Sequence, residues 1–364
     1  MKRVCFFVGD ISRSGGTERV TCIIANYLAQ FDFEIHITSI YGTNKSYFPL
    51  DLKVKRNTLF ETQRRGMVNF PFVIIKLRRF IKQNNIESLI SVESMLSLYS
   101  IPATANLDIQ NICWEHFNYK INLNKKSRSL ARYLAARYCN TVITLTERDK
   151  MYWEANLKCR ANIKRIYNPV PFVNNNLDFS SSPRIALAIG RLTYQKGFDS
   201  LIKIWAQTYP HNKEWVLKIV GNGEDELYLK QLCQNYGIKN IDILPATKDI
   251  DKIYKEASLY LMTSRYEGFP MVLLEAQEYG LPILSFDCET GPAELIDNNS
   301  TGWLIEDQDH FAFEKKLIHI INLFDNDQEF YRKIRENSYR NSEKFCIGII
   351  GPVWIDLLKK NGAQ

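Results

Sequence analysis

The sequence of 364 residues contains no apolar run long enough to cross a membrane, which would take about 18 to 20 uninterrupted apolar residues. Its start, MKRVCFFVGD, has only a short apolar run before Gly9 and Asp10, so we interpret it as a first β-strand and not as a signal peptide. The eight cysteines include no CxxC pair and lie mostly in apolar surroundings. This pattern favours reduced thiols and a cytoplasmic location.

Two signatures of common nucleotide enzymes are also missing. The sequence has no GxGxxG fingerprint, and no acidic residue ends the second predicted strand, residues 34–40. Both absences disfavour a nicotinamide enzyme. We find no internal repeat and no long low-complexity tract, which argues against a repeat architecture.

Strands and helices alternate along both halves of the chain, apart from an irregular polar stretch at 41–69. This alternation predicts an α/β fold with parallel sheets covered on both faces. The length favours two domains. A polar, turn-rich passage at 174–183 predicts the linker between them. We place the domains at 1–172 and 173–345, with a C-terminal helix in 346–364 completing the first. Ligand loops of the two domains are expected to face each other across a cleft.

Charge is shared unevenly between the two halves. Residues 1–170 contain 26 Lys and Arg against 13 Asp and Glu, whereas residues 171–364 contain 21 against 27. A basic half indicates an anionic partner, which could be nucleic acid, an acidic membrane surface or a phosphorylated substrate. Two segments concentrate this charge. One is a predicted helix at 72–83, whose basic face could lie on an anionic bilayer or simply face solvent. The second is a run of cations that comprises Lys120, Lys125, Lys126, Arg128, Arg132 and Arg137.

The most informative stretch is 261–286, LMTSRYEGFPMVLLEAQEYGLPILSF, which predicts a strand, a loop, a helix and a second strand. Pro270 suits the start of the helix. The helix N-terminus would offer backbone N–H groups to phosphate at the carboxyl edge of a parallel sheet. Glu267 could be a simple helix cap. Glu275, on an otherwise apolar face, needs a hydrogen-bonding partner, which the hydroxyls of a ribose would supply.

Three other loops follow predicted strands. Gly16, in a Gly-Gly turn before the first helix, lets the backbone approach a ligand closely. His116 stands at the carboxyl end of a strand, where ligand contacts are expected. Arg191 and Lys196 lie five positions apart in a glycine-bounded loop, which suits a diphosphate, although cations in loops are commonly just solvated.

In conjunction these motifs resemble the retaining, metal-independent glycosyltransferases of the GT-B architecture, and among them family 4. The elements are GGTER at 15–19, EH at 115–116, YNP at 167–169, GRLTYQKGFDSLI at 190–202, GNGE at 221–224 and EGFPMVLLE at 267–275. The last element fits the E-x7-E pattern of the family. The resemblance spans nearly the whole chain, and it implies a Rossmann-like first domain that binds the acceptor and a second that binds the nucleotide sugar.

The resemblance also implies roles for the matched residues. Arg191 and Lys196 would bind the donor diphosphate in place of a metal ion and stabilise the departing nucleotide. His116 would lie near the donor sugar, and Glu267 would accept hydrogen bonds from sugar hydroxyls. Glu275 would hold the ribose. The remaining donor-binding positions would be Gly16, Gly268, Phe269, Pro270, Met271 and Val272.

Further implications concern the substrates. The donor would be a UDP-linked hexose or N-acetylhexosamine, with a GDP-sugar as the alternative, and no cofactor is expected. The acceptor would be a saccharide or lipid-linked saccharide of lipopolysaccharide, O-antigen or capsule synthesis. The enzyme would bind peripherally to the anionic cytoplasmic face of the inner membrane. We cannot assign a carboxylate nucleophile, so a front-face reaction with retained configuration is favoured over double displacement.

Several alternatives stay open at this point. One is a GDP-mannose-dependent mannosyltransferase of the same family. Another keeps the fold for an epimerase or a phosphorylase, but phosphorylases need a cofactor lysine and are much larger, and the pairing of GRL...QKG with E-x7-E favours transfer. A third is a non-enzymatic nucleic-acid or membrane-binding protein, but aromatic residues are not interleaved with the basic runs as single-strand binding requires, so we expect no nucleic-acid partner. Asp-x-Asp triplets, which bind Mn²⁺ in the other glycosyltransferase architecture, occur at 249–251, 307–309 and 325–327. We expect these to be helix caps.

Overall fold

The computed structural model describes residues 1–62, 69–122, 125–172, 183–247 and 249–359. The chain forms two compact units. Unit 1 comprises Met1–Pro171 and Cys346–Gln364, and unit 2 comprises Phe172–Phe345. Most of the predicted linker, 174–182, lies outside the described residues. No helix in the described ranges is long and apolar enough to cross a membrane.

Unit 1 is built on a parallel sheet, which has seven strands in its described part. The strands are β1 Lys2–Val8, β2 Phe33–Tyr41, β3 Lys55–Phe60, β4 Ser88–Val92, β5 Gln110–Trp114, β6 Thr141–Thr144 and β7 Asn162–Arg165. Their order across the sheet is β3-β2-β1-β4-β5-β6-β7. The helices that connect them are α1 Gly16–Leu28, α2 Phe70–Gln83, α3 Ser97–Thr104, α4 Lys126–Tyr138 and α5 Glu147–Asn156. Strands β4 and β5 are almost entirely buried, as a parallel sheet covered on both faces requires.

Strand β3 corrects one prediction, because the sequence indicates an irregular segment at 41–69. Its residues, KRNTLF, are mostly polar, and only Leu59 is buried. Among the described residues the strand pairs with β2 alone, so it forms the edge of the described sheet. An edge strand needs little apolar surface, so the alternation that reveals inner strands is missing here.

Unit 2 has a parallel sheet of six described strands in the order β10-β9-β8-β11-β12-β13. They are β8 Ile185–Ile189, β9 Val216–Val220, β10 Ile241–Leu244, β11 Leu259–Met262, β12 Ile283–Asp287 and β13 Gly302–Glu306. The helices are α6 Phe198–Gln207, α7 Glu226–Asn235, α8 Ile250–Lys255, α9 Met271–Glu278, α10 Pro292–Leu295, α11 His310–Asn326 and α12 Gln328–Ser342. The predicted α/β fold with parallel sheets is confirmed in both units.

The last described helix, α13 Ile347–Lys359, belongs to unit 1. Trp354 is fully buried there, and its ring lies 4.7 Å from that of Trp114 and 6.2 Å from that of Phe6. A Cβ atom at Gly351 would stand 2.1 Å from the ring of Tyr27, so a larger residue at this position of α13 would force that ring to move. The helix therefore forms part of the core of unit 1.

Candidate active site

Helix α9 begins at the carboxyl edge of the unit 2 sheet. Pro270 precedes it in an extended conformation, and no described side chain caps its first turn. Since the first turn of a helix leaves backbone N–H groups without intrahelical partners, this end presents hydrogen-bond donors and a partial positive charge. The predicted donor-binding segment lies here, with Gly268, Phe269 and Pro270 in the loop and Met271 and Val272 in the first turn.

An ion pair at this helix end joins two predicted site residues that are 71 positions apart. The Nζ atom of Lys196 lies 2.6 Å from Oε1 of Glu267. The two side chains are only 17% and 7% exposed, so solvent and salt screen the pair weakly. The sequence suggests separate roles for the two residues, and the structure brings them together. Glu267 thereby fixes where the lysine charge stands.

A tight turn holds Lys196 in place. Residues Tyr194–Lys196 form one 3-10 turn, and Gly197 follows with a φ of 64°. A Cβ atom at Gly197 would stand 2.1 Å from the carbonyl oxygen of Thr263, which only glycine avoids. The hydroxyl of Thr263 also donates a hydrogen bond of 3.0 Å to the Gly197 carbonyl oxygen. These contacts fasten the loop after β8 to the loop after β11.

Arg265 strengthens the same connection, although sequence reasoning missed it. Its Nη1 and Nη2 atoms lie 2.9 and 2.8 Å from the two carboxylate oxygens of Asp199. Its guanidinium lies 4.1 Å from the centre of the Tyr194 ring. Such a two-pronged contact is geometrically specific and holds two loops in register. Neither partner stands out in the sequence, because 66 residues separate Arg265 from Asp199.

Arg191, the other predicted phosphate-binding cation, lies two residues beyond β8. It is exposed and does not take part in the Lys196–Glu267 pair. Because β8 and β11 are neighbouring parallel strands, the loops that follow them share one edge of the sheet. Both predicted cations and the start of α9 are therefore on the same edge.

Glu275 is buried inside α9, and its partner is a tyrosine. The hydroxyl of Tyr254 donates a hydrogen bond of 2.9 Å to Oε2 of Glu275. The Tyr254 ring is itself fully buried and stacks on Tyr279, with ring centres 5.0 Å apart and planes 5° apart. The sequence indicates that a buried Glu275 needs a hydrogen-bonding partner, and within the protein Tyr254 is one such partner. Binding of a ribose by Glu275 stays a prediction.

His116 follows β5 in unit 1. Its ring lies 4.5 Å from that of Trp114, and its Nε2 atom is buried without a hydrogen-bond partner among the described residues. Burial lowers the pKa of His116 to about 4, although the neighbouring Glu115 carboxylate acts in the opposite direction. The imidazole is therefore neutral near pH 7.

The loop that carries His116 is held by buried charges. Glu115 accepts hydrogen bonds from the backbone N–H groups of His116 and Phe117, both at 3.1 Å. Its other oxygen lies 3.0 Å from Nε of Arg132. Arg132 also donates to the carbonyl oxygen of Asn118 at 2.8 Å. Arg128 and Arg132 of the second basic run are therefore buried and do not contribute to a basic surface.

Gly16 is the first residue of α1. A Cβ atom built there would meet nothing within 4 Å, so packing within the described protein does not require glycine. The preceding Gly15 is extended, and no described side chain caps the helix. Gly16, where we predict that a ligand approaches the backbone, thus lies at a helix N-terminus that no described side chain caps.

Two of the three Asp-x-Asp triplets end in helix caps, as predicted. Asp309 accepts a hydrogen bond of 2.9 Å from Ala312 N at the start of α11, and Asp327 accepts one of 3.0 Å from Phe330 N at the start of α12. Asp249 precedes α8 without a side-chain cap bond. Across the part of the chain that the structure describes, no group of three or more His, Cys, Asp or Glu residues could hold a metal ion.

Away from these loops, unit 1 has a basic cavity of about 460 Å³ between β3 and α2. The cations that line it are Lys55, Arg56, Lys76 and Arg79. On the same helix, Phe72 and Ile75 are 55% and 54% exposed. Exposed apolar side chains beside cations are typical of helices that lie at a membrane surface.

Comparison with protein families gives two matches that together span most of the chain. Residues 172–341 match the family described as glycosyl transferases group 1, and residues 14–172 match glycosyltransferase family 4. An uncharacterized glycosyltransferase of Haemophilus influenzae is 33% identical over 362 residues, covering 98% of this chain and all of the relative. The amylovoran biosynthesis glycosyltransferase AmsD of Erwinia amylovora is 28% identical over 370 residues, with 98% and 100% coverage.

A third relative has a detailed name. It is the Campylobacter jejuni α-1,4-N-acetyl-D-galactosaminyltransferase that acts on GalNAc-α-(1->4)-GalNAc-α-(1->3)-diNAcBac-PP-undecaprenol, and it is 26% identical over 366 residues, with 98% coverage of both chains.

Solved structures share the fold at low sequence identity. TarM superposes with a TM-score of 0.82 at 14% identity, covering 99% of both chains. The lipopolysaccharide outer core galactosyltransferase WaaB, in its apo form, gives 0.75 at 21% identity and covers 97% and 98%. Anabaena HepE in complex with UDP gives 0.77 at 18% identity and covers 98% and 99%.

Proposed function

Because this chain belongs to the glycosyltransferases of group 1 and family 4 and has the GT-B fold, we propose that it is a retaining hexosyltransferase. It transfers a hexose or N-acetylhexosamine from a nucleotide sugar, UDP-linked in our proposal, to a saccharide or lipid-linked saccharide. The pathway we propose is bacterial surface-polysaccharide synthesis. The names of the amylovoran and undecaprenol-linked relatives support this choice.

The observation that carries the proposal is the buried Lys196–Glu267 pair at the start of α9. It places one fixed ammonium group beside the backbone N–H groups of a helix N-terminus, and both attract a diphosphate. Arg191 in the same loop adds a second cation that is exposed and can move onto the ligand. Glu267, one hydrogen bond away from Lys196, can accept from the hydroxyls of the sugar attached to that diphosphate.

The proposed mechanism follows from these charges. As the sugar leaves the diphosphate, negative charge grows on the leaving oxygen, and Lys196 and Arg191 stabilise it electrostatically. No carboxylate is assigned as a nucleophile, so we propose a front-face reaction. The bond from the anomeric carbon to the diphosphate breaks, the bond to the acceptor oxygen forms on the same face, and the leaving oxygen takes the acceptor's proton. We propose no metal ion or cofactor in these steps.

The remaining site residues complete the proposal. Glu275 holds the ribose hydroxyls while Tyr254 orients its carboxylate. Gly16 gives a phosphate room at the start of α1, where a side chain would intrude. His116, neutral because its pKa is lowered by burial, offers a ring nitrogen to the reacting sugar.

We also propose that the protein works in the cytoplasm, peripherally bound to an anionic membrane. The support is the face of α2, where Phe72 and Ile75 can enter the headgroup region while Arg79 and neighbouring cations meet lipid phosphates. Such binding should weaken as the salt concentration rises.

The test is thermal unfolding of the full chain with UDP, GDP, ADP and their sugars, in the presence of EDTA. A nucleotide at about 100 times its Kd should stabilise the native state by roughly 2.7 kcal/mol. Glu275→Ala should abolish the shift, whereas Glu226→Ala, which removes an exposed carboxylate of α7, should keep it. A selective GDP shift would replace the UDP assignment. No shift with any nucleotide, from folded protein, would refute the donor site.

A further inference from the structure

Strand β4 of unit 1 ends in a backbone conformation that residues with a side chain rarely adopt. Glu93 has a φ of 98° and a ψ of 137°. Such conformations cost on the order of 1–3 kcal/mol outside glycine and cluster at sites where ligands bind. The N–H group of Glu93 donates a hydrogen bond of 2.8 Å to the carbonyl oxygen of Trp114, which ties the strained residue to the end of β5.

The position of Glu93 in the sheet is where α/β domains bind ligands. Strand β1 pairs with β2 on one side and with β4 on the other, so the chain connections leave in opposite directions from this point. In open α/β sheets, ligands bind at such a point, in a crevice beyond the carboxyl ends of the strands. The register pairs Phe7 with Ser91 and Val92 with Trp114. Glu93 therefore stands between the loop after β1 and the segment that carries His116.

The carboxylate of Glu93 is anchored at one oxygen. Oε1 lies 2.7 Å from Nη2 of Arg128, whose side chain is 4% exposed, whereas that of Glu93 is 28% exposed. Arg128 Nη1 also lies 4.0 Å from Glu115. Within the described ranges, the second oxygen of Glu93 has no hydrogen-bond or ion-pair partner. The Nε atom of Arg128 and the Nε2 atom of His116 are buried and lack described hydrogen-bond partners as well.

The charges indicate which chemical group fits this crevice. Two carboxylates, Glu93 and Glu115, face two guanidiniums, Arg128 and Arg132, so the cluster is formally neutral. A phosphate would be repelled by the open oxygen of Glu93, whereas a hydroxyl group would donate a hydrogen bond to it. The cations proposed for the diphosphate all lie in unit 2. The open oxygen of Glu93 therefore suits an uncharged hydroxyl group of a saccharide, whereas the phosphate proposed for unit 1 lies at the start of α1, beside Gly16.

We propose that Glu93 binds a hydroxyl group of the saccharide acceptor and positions it beside His116. The inference rests on the proposed glycosyltransferase function and adds an acceptor subsite to it. Arg128 acts as a positioning residue, because its buried guanidinium holds one oxygen of the Glu93 carboxylate.

The test separates transfer from donor hydrolysis in the full chain. UDP-sugar turnover is measured with water alone and with p-nitrophenyl glycosides of galactose, glucose and N-acetylgalactosamine as acceptors. Glu93→Gln should lower kcat/KM for transfer about tenfold or more, because a hydrogen bond to a charged group is lost, and should raise the acceptor KM. The rate of hydrolysis and the Kd for UDP should stay within about twofold of wild type.

A matched control comes from the same unit. Glu34 is a similarly exposed carboxylate, at 25%, and pairs with Lys55 at the same distance of 2.7 Å, but it lies near the opposite end of the strands. Glu34→Gln should leave both rates unchanged. If Glu93→Gln folds poorly, Glu93→Asp keeps the charge opposite Arg128 and withdraws the carboxylate by one methylene, so it should show the same selective loss.

Two results would overturn the inference while leaving the proposed function intact. One is equal loss of hydrolysis and transfer in Glu93→Gln, which would indicate a structural role. The other is unchanged transfer. By contrast, a wild-type chain that binds no nucleotide and turns over no UDP-sugar would refute the proposed function itself, and this acceptor subsite with it.

Discussion

The hydrogen bond between Tyr254 and Glu275 allows a quantitative test of the donor site. Tyr254→Phe removes a single oxygen atom and keeps the ring, which is stacked on Tyr279. The hydroxyl donates to Oε2 of Glu275 at 2.9 Å, and both side chains are buried. The change therefore acts on the orientation and solvation of Glu275 and hardly at all on packing.

The expected magnitude follows from the charge of the acceptor. A hydrogen bond to a charged group is worth about 1.5–3 kcal/mol, and its loss leaves a buried carboxylate oxygen without that donor. We expect the free energy of unfolding to fall by that amount. At about 2–4 °C per kcal/mol for a domain of this size, Tm should fall by roughly 3–12 °C. If Tyr254 orients Glu275 for the ribose, the Kd for the nucleotide should also rise about tenfold, or 1.4 kcal/mol.

The assay is titration of UDP, or whichever nucleotide of the panel binds wild type, against Tyr254→Phe. Tyr331→Phe is the matched control in the same unit. Its buried hydroxyl donates a 2.7 Å hydrogen bond to the carbonyl oxygen of Ser258 and, among the described residues, makes no hydrogen bond to Glu275. This variant should lose about 0.5–1.5 kcal/mol of stability and keep its nucleotide affinity. Unchanged affinity in Tyr254→Phe, or equal weakening in both variants, would refute the positioning role.

Two other predictions concern pH and the turn beside Lys196. Burial raises the pKa of Asp149 to about 7, above the value of about 3.9 expected in the unfolded chain. The folded chain therefore binds this proton more tightly than the unfolded chain does. The free energy of unfolding should thus fall as the pH rises from about 4 to about 7. Asp149→Asn should flatten that decline in urea unfolding at about pH 5 and about pH 8, and parallel pH profiles would contradict it. Gly197→Ala adds a clash with the Thr263 carbonyl oxygen to backbone strain, whereas Gly237→Ala at a similar φ of 63° meets nothing within 4 Å. In calorimetry, Gly237→Ala should lower the free energy of unfolding by only about 1–2 kcal/mol. Gly197→Ala should lower it more and should also weaken nucleotide binding. Equal losses of stability in the two variants would rule out the clash.

The sequence predicts the fold well because inner strands of parallel sheets are continuous apolar runs. The inner strands β4, Ser88–Val92, and β11, Leu259–Met262, are examples, because the sequence predicts strands with these same bounds. The edge strand β3 escapes prediction because its polar residues, Lys55–Phe60, need no buried face. Buried charge is equally hidden, since Arg128 and Arg132 belong to a basic run in the sequence but are 3% and 1% exposed in the structure.

For the site, the sequence indicates which residues are candidates, but it does not indicate which of them contact one another. The spacing of Glu267 and Glu275 marks the helix, but the contact of Glu267 with Lys196 depends on two loops that only the sheet order brings together. Tyr254 carries no sequence signal, because a tyrosine in a short helix is most simply explained as core. Glu93 is similar, because its unusual φ comes from the end of β4 and not from its residue type.

Helix α13 also sets the order in which the chain can finish folding during translation. The strands of unit 1 leave the ribosome first, but Trp354, which covers Trp114 and Phe6, follows only after all of unit 2. At about 5–20 residues per second the delay is on the order of 10–40 s. Unit 2 is continuous in sequence and can complete its core in that time. A chain truncated just after Phe345 therefore has a complete second unit and an uncovered aromatic surface on the first, which chaperones and proteases can recognise.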